Sequence, residues 1–169
     1  MIILGIDPGT RRVGYGLIEK TDGQLRLVDA GLLKIAGSDD AAALVELRSH
    51  LSELIKTHRP DRLAVEKLFF SQNRTTALQV AQARGVVLLT ATEAGIPIFE
   101  YAPNEVKAAV TGHGLSDKEA VLKMVRLILG VPNLDVIDDA SDALALAIVG
   151  GSAGTAVEKK AFRGLDKAK

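Results

Sequence analysis

Four acidic residues stand where folding could bring them together: Asp7, Glu66, Asp139 and Asp142. Asp7 closes the apolar run Ile2-Ile3-Leu4-Gly5-Ile6 and opens an Asp-Pro-Gly-Thr turn, with Gly9 and Gly14 letting the backbone bend closely around it. Alone, that pattern fits an ordinary turn equally well. Glu66 follows Leu63-Ala64-Val65 and precedes the unusually apolar Leu68-Phe69-Phe70. A single acid at a strand end is usually just solvated. Asp139 and Asp142, three residues apart, share one face of a helix. Acids in a first turn also complement the helix dipole, and Asp138 is an apt N-cap, so the pair is not diagnostic either. The run Ala143-Leu144-Ala145-Leu146-Ala147-Ile148 marks a buried helix, however. It sets Asp142 at the edge of the core, where an ionised carboxylate needs a partner.

The combination says more than any member. If the strands ending at Asp7 and Glu66 are neighbours, and the helix of Asp139 and Asp142 packs across them, four carboxylates converge. Such a group repels itself, and without a cation some members take up protons. A divalent metal is the natural counter-charge. There is no cysteine, and histidine is confined to His50, His58 and His113, so oxygen ligands are favoured and Mg²⁺ or Mn²⁺ suits them better than zinc. A site of that kind bridges a phosphate oxygen, lowers the pKa of bound water and stabilises a leaving alkoxide, which is the chemistry of phosphodiester hydrolysis.

The elements that must position these acids can be read from periodicity. Ile2–Ile6, Val13–Ile18 and Leu25–Ile35 read as three consecutive antiparallel strands, the last two separated by Asp22-Gly23. Leu44, Leu47, Leu51, Leu54 and Ile55 repeat at helical spacing from Ala41 to Thr57, and Arg59-Pro60-Asp61 stops that helix. Leu63–Val65 is a strand, Thr75–Ala94 a long alanine-rich helix and Ile96–Tyr101 a strand. Pro103 opens a short helix to about Val110. Ser116-Asp117-Lys118-Glu119 has the spacing of a capping box and starts another helix that ends near Gly130. A last apolar helix runs from Asp138 or Asp139 to about Val149. The order β-β-β-α-β-α-β-α-α-α predicts an α/β fold, a mixed sheet with helices on its faces.

One domain spans residues 1–150. Beyond Gly150-Gly151 the chain carries five basic residues (Lys159, Lys160, Arg163, Lys167, Lys169) against two acids (Glu158, Asp166), and residues 151–169 read as a flexible basic tail. Length and composition agree: 169 residues, 47% apolar and 25% charged, make an ordinary globular domain too short for two. The N-terminus lacks the basic segment of a signal peptide, and no apolar run reaches the roughly 20 residues of a membrane span, so a soluble, cytoplasmic protein is expected. Basic and acidic residues balance at 21 each, which leaves the partner undecided, since affinity for nucleic acid depends on where the cations face.

Six ordered segments then carry a resemblance. Gly5-Ile6-Asp7-Pro8-Gly9-Thr10, Ala64-Val65-Glu66-Lys67-Leu68-Phe69-Phe70-Ser71-Gln72-Asn73, Ala81-Gln82-Ala83-Arg84-Gly85, Glu100-Tyr101-Ala102-Pro103, Val106-Lys107-Ala108-Ala109-Val110 and Asp139-Ala140-Ser141-Asp142-Ala143-Leu144 resemble the bacterial RuvC Holliday-junction resolvases. The likeness covers residues 1 to about 149. It implies a ribonuclease-H-like fold with a five-stranded mixed sheet, three antiparallel strands then two parallel, flanked by helices on both faces. It also implies a homodimer that binds four-way junction DNA and cuts it by paired symmetric nicks leaving 5′-phosphate and 3′-hydroxyl ends. Two divalent ions per active site, Mg²⁺ or Mn²⁺, would be held by Asp7, Glu66, Asp139 and Asp142. Phe69 matches an aromatic that stacks on bases at the junction centre, and Lys107 and Lys118 match lysines near the scissile phosphate. Arg74 and Lys67 are further candidates for backbone contacts. The helix from Thr75 corresponds to the dimer helix, and the RuvA and RuvB branch-migration proteins are the implied partners. Val80-Ala81 departs from the family's usual Leu-Gly, and no histidine follows Ile148.

Three rival readings can be weighed on the residues. A nucleotide-binding ATPase with a similar strand–Asp–Gly–Thr turn needs two domains, for which this chain has no room. A non-catalytic junction-binding module would not need all four acids. A related nuclease on another substrate, such as an RNA–DNA hybrid, would need neither symmetric sites nor a base-stacking residue at Phe69.

Overall fold

The computed structural model describes residues 1–67 and 74–152, with the backbone alone for 74–76. The chain opens with β1 (Ile2–Asp7), β2 (Arg12–Thr21) and β3 (Gln24–Lys34), antiparallel in succession. Asp22 (φ 53°) and Gly23 (φ 80°) both take left-handed backbone, as a two-residue hairpin turn matching the strand twist requires. There follow α1 (Asp40–His58), β4 (Arg62–Glu66), α2 (Arg74–Glu93), β5 (Ile98–Tyr101), α3 (Pro103–Thr111), α4 (Lys118–Leu129) and α5 (Asp138–Ser152). The five strands form one sheet in the order β3-β2-β1-β4-β5, with β4 parallel to both β1 and β5.

Alternation along the strands divides the core in two. Leu4, Ile6, Leu17, Leu63 and Val65 point to one face, where Leu47, Leu51 and Ile55 of α1 and Ala83, Val87 and Ala91 of α2 cover them. Ile3, Ile18 and Ala64 point to the other face, beneath Val106 and Val110 of α3, Val121 and Val125 of α4, and Leu144 and Ala147 of α5. Helices therefore flank both faces, as the element order predicts.

The approach of α5 is unusually close. A β-carbon on Gly5 would collide with the carbonyl of Ala143, and one on Gly16 would sit 2.7 Å from the Leu144 nitrogen. Glycine on the strands and alanine on the helix let α5 lie almost on the sheet backbone, with its first turn against Gly14 of β2, beside the end of β1.

Three details differ from the sequence reading. The cap of α4 is Asp117, whose side chain accepts from Ala120 N at 2.8 Å, while Ser116 bonds the His113 carbonyl and lies 2.7 Å from Thr111 Oγ1. β5 begins only at Ile98, because Ile96 N is spent on the Ala91 carbonyl (2.9 Å) at the end of α2. Finally, α5 continues through Gly150-Gly151 to Ser152. The low helix propensity of glycine is overridden there by packing, since a β-carbon on Gly150 would lie 2.9 Å from that of Ala64. The rest of the expected tail, residues 153–169, lies outside the described residues. Among the described residues no helix is long and apolar enough to cross a membrane.

Candidate active site

The parallel pairing of β1 with β4 matches Ile6 to Val65, so Asp7 and Glu66 emerge side by side, one residue further along each strand. The pleat that buries Leu4 and Ile6 against α1 and α2 turns Asp7 toward α5, where Gly14 is its partner on β2. Asp138 and Asp139 occupy the first turn of α5, and Asp142 follows one turn on. Positive partial charge at a helix N-terminus favours acids at these positions.

Charge interactions link Asp7 to each of the other three acids. Asp7 is pushed up to about 7, first by burial and then by Asp142, Glu66 and Asp139 in turn, with Lys118 opposing. Glu66 is raised by burial and by Asp142, with Lys107 opposing. Asp142 is raised by burial and by Asp138 and Asp139, against the pull of Lys118. Asp7 thus feels all three of the others, as a carboxylate drawn out of water beside like charges must.

Two cations already stand among them. Lys118 Nζ, at the start of α4, lies 3.4 Å from both Asp138 Oδ2 and Asp142 Oδ2. Its own pKa is raised: desolvation pulls it down, but the charges and hydrogen bonds of Asp142 and Asp138 outweigh that. Arg12 Nε lies 3.2 Å from Asp139 Oδ2. Arg12 and Asp138 are absent from the sequence-based set, although Arg12 begins the strand directly after the Asp7 turn. Lys107, on α3, reaches the site as a charge acting on Glu66. Lys67 is turned elsewhere, 3.8 Å from Glu105 Oε2. Phe69 and the Arg74 side chain lie outside the described residues.

A cleft of about 520 Å³ opens beside the acids, lined by Arg12, Lys118, Ile137, Asp138 and Asp139. A larger groove, about 850 Å³, runs between α1 and α2 along Arg48, Ser52, Glu53 and Thr90. It is on the opposite face of the sheet and holds none of the four acids, so the smaller cleft is the one with the chemistry.

Among the described residues no three acids or histidines are gathered closely enough to hold a metal as they stand. The outer two, Asp139 and Asp142, are instead engaged by Arg12 and Lys118. The donor chemistry nevertheless fits a hard divalent cation: every candidate ligand is a carboxylate oxygen, and a cation would offset both the burial and the neighbouring negative charge that raise Asp7.

A sequence model of the family described as "Crossover junction endodeoxyribonuclease RuvC" matches residues 3–150. A protein of that name from Roseiflexus sp. (strain RS-1) is 51% identical over 146 residues, covering 86% of this chain and 87% of its own. The Thermus thermophilus RuvC structure is 36% identical, covers 88% of this chain and 92% of its own, and superposes with a TM-score of 0.78. The structure of T. thermophilus RuvC in complex with Holliday junction substrate is likewise 36% identical, covers 88% and 91%, and gives 0.80.

Proposed function

The chain belongs to the RuvC family of crossover junction endodeoxyribonucleases, and on that footing we propose that it is a structure-specific, metal-dependent endonuclease that resolves Holliday junctions by paired symmetric nicks. The observation that carries the reading is the convergence of Asp7, Glu66, Asp139 and Asp142 at the joint end of β1, β4 and α5.

In this reading the four carboxylates hold two divalent ions, Mg²⁺ or Mn²⁺. When bound, such ions polarise a phosphate oxygen and make water a better nucleophile at neutral pH. Lys118 and Lys107 supply positive charge beside the acids, suited to hold the scissile phosphate and to offset charge that builds on it during displacement. Arg12, on the cleft wall facing Lys118, serves as a contact for the adjoining phosphodiester. Ile137 gives the same cleft an apolar surface for a sugar.

Two symmetric cuts call for two symmetric sites, and a two-fold dimer supplies them. Exposed Leu78 and Leu89 on α2 suit that helix to the dimer contact. Partnership with RuvA and RuvB rests on family membership alone.

The test is cleavage of a synthetic four-way junction in Mg²⁺ and in Mn²⁺, beside linear duplex and an RNA–DNA hybrid. Symmetric nicks in the junction alone are expected. Preferential cutting of the hybrid would overturn the substrate, and binding without cutting in either metal would overturn the nuclease assignment.

A further inference from the structure

We infer that Arg84 is a positioning residue for the reaction, holding the end of β4 and with it the Glu66 carboxylate. The inference rests on the reading of Glu66 as a metal ligand. Arg84 Nε donates to the Glu66 carbonyl oxygen at 3.0 Å, and Arg84 Nη2 is paired with Glu100 Oε2. The Arg84 side chain is only 16% exposed. One guanidinium therefore ties α2, β4 and β5 together directly behind a residue of the acidic group.

The consequence for Glu66 is geometric. Its carbonyl is held by Arg84, and the next N–H, that of Lys67, is held by the Tyr101 carbonyl at 2.8 Å. With both ends of that peptide plane anchored, the backbone at the end of β4 cannot turn. That fixes the point and direction from which the Glu66 side chain leaves the strand, within reach of the charge on Asp142. Glu100 has the supporting part: it keeps a largely buried cation paired and turns the fork so that Nε faces the carbonyl. Lysine, with a single ammonium, cannot serve both directions with the same rigidity.

Arg84 also makes α2 a lever on the site. Its neighbours Ala83 and Val87 are buried against the sheet, while Leu78 and Leu89 of the same helix face outward. Whatever sets the position of α2, including a second copy of this chain docked on it, sets the position of Glu66.

The experiment uses the full-length chain with Arg84→Gln, Arg84→Lys and Glu100→Gln. It reads Mn²⁺ affinity by calorimetry, the single-turnover cutting rate, junction binding, and folding by circular dichroism. Arg84→Gln is expected to weaken Mn²⁺ binding and to slow cutting, each by about 10–100-fold, with junction affinity unchanged. Arg84→Lys should recover part of both. Folded Arg84→Gln with wild-type Mn²⁺ affinity and rate overturns the inference, and so does a loss of rate that only follows the folded fraction. Should Arg84→Gln fail to fold, Glu100→Gln decides: it leaves the bond to Glu66 possible but lets the guanidinium swing, and unchanged Mn²⁺ affinity there refutes the role. A wild-type protein that binds Mn²⁺ but cuts no junction would sink the proposed function. The effect of Arg84 on Mn²⁺ affinity would still stand or fall separately.

Discussion

The backbone carbonyl of Asp139 rests against the α-carbon of Gly14, so closely that a β-carbon on residue 14 would overlap it. Gly14 is also the register partner of Asp7 on the neighbouring strand. One missing side chain therefore sets how near the first turn of α5 comes to the end of β1, and hence how near Asp139 and Asp142 come to Asp7.

Gly14→Ala should push α5 outward. Thermal unfolding is expected to show a loss of about 1–3 kcal/mol or more, since the obstacle is backbone and cannot rotate away. In the fraction that folds, cleavage should fall further than junction binding. Wild-type stability and rate would show that α5 can move without cost.

Asp7 binds its proton more tightly in the folded chain, at about 7, than at its ordinary 3.8. Folding is therefore favoured by acid: the contribution is whole below about pH 4, is lost as pH rises through 7, and is level above that. Glu66 and Asp142 are raised too and act in the same sense. Urea unfolding of the metal-free protein should find Asp7→Asn the more stable at pH 8, by an amount on the order of a few kcal/mol, with the gap closing near pH 4. A gap independent of pH would rule out repulsion as its cause.

Metal should reverse that ranking. A divalent ion that binds the folded site stabilises it by mass action, so Mg²⁺ or Mn²⁺ at pH 8 should raise the melting temperature of wild type and leave Asp7→Asn nearly unmoved. The same variant is expected to bind a four-way junction and not cut it. Equal metal-induced shifts in both proteins would place the ions elsewhere.

Arg12 is paired with Asp139, a proposed metal ligand, and lines the cleft, so its removal should have two effects of opposite sign. Arg12→Gln is expected to lower the metal concentration needed for half-maximal cutting, because Asp139 is released. It should also weaken junction binding and reduce the salt dependence of that binding by about one unit of slope. An unchanged salt slope would remove Arg12 from the DNA contact.

Leu51, fully buried on α1, is a control on the opposite face of the sheet. Leu51→Ala should cost about 2–5 kcal/mol of stability through transfer and cavity terms, while the cutting rate per folded molecule stays at the wild-type value. A slowed rate in folded Leu51→Ala would mean that the α1 face and the acids are mechanically coupled.

Much of the architecture is legible in local patterns. The apolar run Ile2–Ile6, helical spacing of Leu44, Leu47 and Leu51, and the Asp22-Gly23 turn each report a preference that a few neighbouring residues settle among themselves. The errors fall where distant atoms decide. Gly150-Gly151 looks like a helix stop and is helix, because α5 packs those glycines onto Ala64 and Ile3. Ser116 has the spacing of a cap and is drawn instead to Thr111 and His113, leaving Asp117 to cap α4.

The acids follow the same division. That Asp7 and Glu66 end strands, and that Asp139 and Asp142 share a helix face, is determined by residues within a turn or two of each. Their convergence needs β1 beside β4 and α5 laid across both, contacts between segments about 60 and 130 residues apart that only the folded chain brings together. The pairing of Arg12 with Asp139, of Lys118 with Asp142 and of Arg84 with the Glu66 carbonyl is likewise invisible along the chain. A side chain's charge is written in the sequence, but Coulomb and hydrogen-bond energies depend on distance through space, and that distance is set by the tertiary packing of glycine against helix backbone.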